Sequence, residues 1–227
     1  MTRTFEVKFP LEEAYRRLTL FALELLDAVT LSRVSNGVKV VAEGLNGKPT
    51  VNASGLFVWL HEEIGNLRKI SIDPGQLPYE KFELAAADLK LPLTTIELQP
   101  RADYAFDAGV TGVRGTLIEE RVVLPQIPTP VPNAEVRLRW LDDNGVWQDA
   151  PTTSHTDKNR GDFVSILRLN PTEVPDIDPS GMVTVRLHAR RGAANERSSA
   201  DFKLLQGSVT EPSTANKLTF AWDELQP

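Results

Sequence analysis

Thr156-Asp157-Lys158-Asn159-Arg160-Gly161-Asp162-Phe163-Val164 is a polar turn that delivers an aromatic residue into a strand. Asp bonds back onto its own backbone and Gly accepts a left-handed conformation, so the pair closes a turn. Phe163 then brings a large apolar surface to a core. The strand that follows is apolar on both faces, as a strand is when something covers each side. About a hundred residues earlier the same device stands as Val51-Asn52-Ala53-Ser54-Gly55-Leu56-Phe57-Val58. Two copies of one device predict two copies of one small β domain.

Outward from the turn, the second half reads as strands. Val136, Leu138 and Trp140 alternate with Glu135, Arg137 and Arg139, the period of a half-buried strand. Asp142-Asp143-Asn144-Gly145 turns that strand into Val146-Trp147. Val183, Val185, Leu187 and Ala189 alternate with Thr184, Arg186, His188 and Arg190, residues 192–199 read as a polar loop, and 218–222 as a last strand. In the first half, strands are expected over 4–9, 38–43, 55–61, 69–73, 82–84 and 93–98, with turn signals between them. Residues 44–49 read as a hairpin turn. Residues 18–31 fit a helix face and a period of two equally, and the repeat decides for a strand.

The expected architecture is all-β, two tandem Ig-like β-sandwiches. The first covers residues 1–99 with an arm at 1–17, a packed linker covers 100–111, and the second sandwich covers 112–227. A chain of 227 residues accommodates two domains of that size. A net charge of −6 argues against a nucleic-acid binder. No cysteine is present, which suits a reducing cytoplasm and excludes thiolate metal sites and a cysteine nucleophile. The first ten residues carry Arg3, Glu6 and Lys8 and do not resemble an export signal. The most apolar window, 18–31, is too short to span a bilayer and contains Glu24 and Asp27.

Laid side by side, Gly37-Val38-Lys39-Val40 before Asn52-Ala53-Ser54-Gly55-Leu56-Phe57, and Val131-Pro132-Asn133-Ala134-Glu135-Val136 before the turn at Thr156, resemble the carboxypeptidase-regulatory-like, transthyretin-like family. The second copy departs by an extra residue, Arg160, and by the proline-rich stretch 124–132. The first has Asn52-Ala53 where Thr-Asp is usual. The resemblance implies seven-stranded sandwiches that are mostly non-catalytic and serve as folding, docking or spacing units. Modules of this class also decorate phage-tail-like contractile injection particles, which assemble inside the cell. A subunit of such a particle, or of another large assembly, with protein partners, is the expected role. A carbohydrate- or cell-surface-binding module is the alternative, with Trp147 or Trp222 as its exposed aromatic.

Chemistry has few candidates. His61, His155 and His188 lack metal spacing, and there is no nucleophile elbow or phosphate loop. Asp142-Asp143-Asn144-Gly145 resembles the start of a calcium loop but lacks the glutamate at its twelfth position. Arg160-Gly161-Asp162 spells an integrin tripeptide whose Gly and Asp the turn already explains. No catalytic residue, cofactor or metal is expected. What remains is a set of arginines on outward strand faces, Arg137, Arg139, Arg186 and Arg190 with Arg191 beside them. A solvated face balanced by Glu135 and Asp201 is the plain reading, and a docking face for an acidic protein partner is the functional one.

Overall fold

The computed structural model describes residues 19–60, 66–122, 126–192, 195–210 and 218–227. The expected strand over 4–9 and His61 lie outside them. The first strand, β1 (Thr19–Asp27), settles the ambiguity of the 18–31 window. Phe21, Leu23 and Leu25 all point to one buried side, which a period of two allows and a helix does not. β1 is flanked antiparallel by β4 (Phe57–Leu60) and parallel by β7 (Leu93–Leu98), with β3 (Thr50–Val51) added to β4. A second sheet packs against this one, running β2 (Lys39–Glu43), β5 (Lys69–Asp73), β6 (Phe82–Ala85), antiparallel throughout.

The second half repeats this pairing. β8 (Thr111–Ile118) is flanked antiparallel by β12 (Asp162–Leu167) and parallel by β16 (Val209–Thr210) and β17 (Leu218–Ala221). Facing it, β9 (Glu135–Leu141), β13 (Met182–Arg191) and β15 (Phe202–Leu205) form the antiparallel trio. β10 (Trp147–Asp149) and β11 (Ser154–His155) add to β9, and β14 (Asn195–Ser198) adds to β13. The two phenylalanines hold matching places. Phe57 stands across from Leu23, which faces Thr94 on its other side; Phe163 stands across from Gly115, which faces Leu218.

Buried apolar residues fall into two clusters. One joins Phe21, Leu23, Trp59 and Leu98 to Val40, Ile70 and Ile72 across the gap between sheets. The other joins Val113, Leu117 and Phe163 to Leu138, Trp140, Val185 and Leu187. Apolar filling between facing sheets is what an all-β sandwich fold requires. β12 shows why its strand is apolar on both faces. Phe163 and Leu167 enter the second core, while Val164 and Ile166 are buried on the other side beside Gln99 and Pro100.

Two expectations need correction. Residues 195–198 form strand β14 instead of loop, because β13 is long enough to pair with β15 at one end and β14 at the other. Residues 44–49 are not a hairpin: they carry the chain from β2 in one sheet to β3 in the other. Turn residues bend the chain, and they do not choose which sheet receives it. Among the described residues no helix is long and apolar enough to cross a membrane.

Candidate docking surface

β9 and β13 lie side by side, so their alternation places every second residue on one outward face. Arg139 stands directly across from Arg186, Arg137 across from His188, and Glu135 across from Arg190. The four arginines named from the sequence are thus brought onto one face, each with a side chain 30–39% exposed. Like charges facing one another across a strand pair repel, and acids on neighbouring elements offset this. Asp149 on β10 takes Arg139 at 2.8 Å and lies 3.7 Å from Arg137. Asp201 pairs with Arg186, and Glu135 with Arg190. Arg186 also lies 4.0 Å above the centre of the Trp147 ring, a cation–π contact.

His188 sits among these charges. Its Nδ1 is 3.1 Å from Ser198 Oγ and its Nε2 is 3.4 Å from Glu196. Burial, with Arg137 next in weight, holds its pKa below the ordinary histidine value, so it is neutral at pH 7. A guanidinium has five donors in a planar fork, more than one carboxylate can use. The face therefore has more guanidinium donors than its own carboxylates take up, on arginines already paired in place. Arg191, beside it, pairs with Glu119 and lies 4.7 Å from the centre of the Trp222 ring, and Arg197 lies over the same ring at 5.3 Å. Trp222 is buried, and Trp147 has Arg186 on one face.

The opening turn is held from within. The Asp157 carboxylate accepts the amides of Asn159, Arg160 and Asp162 at 2.7, 2.8 and 3.2 Å. Gly161 is buried with φ at 70°, and a Cβ there would lie 2.2 Å from the Leu117 carbonyl oxygen. Asp162 accepts the Thr116 hydroxyl at 2.8 Å. The tripeptide's aspartate is therefore engaged in the fold. Likewise Asp142 accepts the amides of Asn144 and Val146 at 3.0 and 2.8 Å, a hairpin turn held by its own carboxylate. Among the described residues no group of three or more metal-ligating side chains gathers.

Contacts invisible to sequence reasoning join the two cores. Arg168, beyond the end of β12, donates to the Ala28 carbonyl at 2.8 Å and pairs with Glu97 at 2.9 Å. Arg114 donates to the carbonyls of Ala102 and Tyr104 and lies 5.0 Å over the Phe106 ring. Glu80 accepts the His155 amide at 2.6 Å and meets its ring Nδ1 at 2.7 Å. Hydrogen bonding to Glu80 raises the His155 pKa against the opposing pull of burial. Asp27, buried at the end of β1, accepts the Tyr79 hydroxyl at 3.0 Å, the Tyr104 hydroxyl, and the Val29 amide at 2.7 Å. Burial, then the Asp27 charge, push the Tyr79 pKa up to about 12. This cluster packs the 100–111 segment, whose Tyr104 is buried with its ring tilted against Phe106 at 4.8 Å.

The fold and this face define an all-β sandwich protein with a charge-patterned sheet surface. Compared with models of protein families, with curated proteins and with solved structures, the chain finds no match.

Proposed function

We propose that the chain is a non-enzymatic docking module of a larger assembly, built as two tandem carboxypeptidase-regulatory-like sandwiches divided at 100–111. It is made in the cytoplasm and takes an acidic protein partner on the β9–β13 face. A phage-tail-like contractile injection particle is the kind of assembly this reading favours. The observation that carries the proposal is the row Arg137, Arg139, Arg186, Arg190, gathered by strand register onto one face and pre-positioned by acids. Ordered charge of this sort selects partners and speeds encounter more than it adds raw affinity.

Gradient sedimentation of a host extract tests it. The tagged chain is expected in a fast-sedimenting fraction with the particle's structural proteins. The double substitution Arg139→Glu with Arg186→Glu is expected to return it to the top of the gradient. A wild-type chain that sediments alone, or a doubly substituted chain that still travels with the particle, overturns the proposal.

A further inference from the structure

Among the described residues the outer edge of β2 carries no partner, since its sheet runs β2–β5–β6 with β2 at one end. Its counterpart β9 has that edge covered by β10 and β11. An open edge presents unpaired N–H and C=O groups. Glu43 gives its carbonyl to the Arg68 amide at 2.8 Å, on the β5 side. Alternation along the strand then turns the amide groups of Val40 and Ala42 outward. The Ala42 carbonyl accepts the Leu45 amide at 3.3 Å and keeps a second lone pair.

The exposed face of this sheet carries charge in rows. Lys69 lies between Glu43 and Glu83, with Nζ at 3.4 and 3.0 Å from their carboxylates. Asp73 lies between Lys39, its cross-strand partner, and Lys81, whose Nζ is 2.9 Å away. Each row alternates in sign, and the two reach the open edge with opposite charges, Glu43 and Lys39. Between them Val41 is 40% exposed.

We infer that β2 pairs antiparallel with β2 of a second copy of this chain, about a twofold axis through Val41. In that register Val40 of each copy exchanges hydrogen bonds with Ala42 of the other, and the two valines at position 41 meet on the axis. Lys39 stands across from the second copy's Glu43, so each row continues its alternation across six strands. Opposite charges directly across a strand pair attract. A twofold places the same complementarity at both ends. Strands this short bury less than a standard interface, so the dimer is weak and concentration-dependent. This inference does not rest on the arginine face, and its failure leaves that proposal standing.

Sedimentation equilibrium of the full chain over a concentration series is expected to show monomer and dimer. Lys39→Glu alone, or Glu43→Lys alone, sets like charges against each other at both ends and is expected to weaken the dimer roughly tenfold. A mixture of the two variants restores opposite charges and is expected to dimerise again. Hydrogen exchange of the wild-type chain gives a reading independent of any variant: the Val40 and Ala42 amides become protected as concentration rises. A chain that stays monomeric, a dimer indifferent to both substitutions, a mixture that fails to associate, or exchange at Val40 and Ala42 unaltered by concentration overturns the inference.

Discussion

Gly115 leaves a gap in the middle of β8 that the Phe163 ring fills. A Cβ at this position would lie 2.6 Å from the ring's Cζ and 2.9 Å from the Leu218 carbonyl oxygen. The backbone on the β17 side cannot yield as a flexible side chain would, so Gly115→Ala is expected to cost about 1–3 kcal/mol, measured by denaturant unfolding. His155 gives a prediction with a sign. Its pKa is raised in the folded chain by Glu80, so its contribution is present below the unfolded value, about 6.5, and is lost as pH rises through the higher folded value. The melting-temperature difference between wild type and His155→Gln is therefore expected near pH 5.5 and should fade at alkaline pH. His188 has the opposite bias: its depressed pKa favours stability above about pH 6.5, lost as pH falls.

Among elements, short β-rich runs bounded by turn residues were readable to the residue. The 69–73 and 93–98 windows coincide with β5 and β7. β14, Asn-Glu-Arg-Ser, has no apolar alternation, because at this end of the sheet the core side is closed by the Arg197 guanidinium over Trp222 in place of an aliphatic side chain. β3, β11 and β16 are two residues long and leave no period to read. The arginine face was legible because one alternation, in β9 and again in β13, sorts core from surface. Its Asp149 was not, since the strand bearing it joins β9 through a hairpin whose register only the structure fixes. Asp27 was hidden for another reason: its tyrosines stand 52 and 77 residues away. Within the opening turn, Asp157→Ala leaves the amides of Asn159 and Arg160 without their acceptor. A loss of about 1–2 kcal/mol is expected, with faster hydrogen exchange confined to residues 158–162.

At the scale of the whole molecule, polar stitches at several points set how the two cores lie against one another. Arg168 bridges them through one carbonyl and one carboxylate, in partly buried surroundings. Arg168→Ala is expected to cost about 1–3 kcal/mol and to separate, in scanning calorimetry, the unfolding of one core from the other. A wild-type trace with two well-separated transitions already present would deny that the stitches couple them. A junction held by such contacts would suit the proposed docking role, because a face held in one orientation loses less freedom on binding.

The shared strand plan underlies both the family resemblance and the role proposed from it. Backbone nuclear Overhauser contacts in an isotope-labelled sample test it most directly. Phe57 is expected to show cross-strand contacts with Leu23, whose far side contacts Thr94, and Phe163 with Gly115, whose far side contacts Leu218. Neighbours for Phe57 and Phe163 that differ in strand direction or in place along the first strand of each half would contradict the repeated plan.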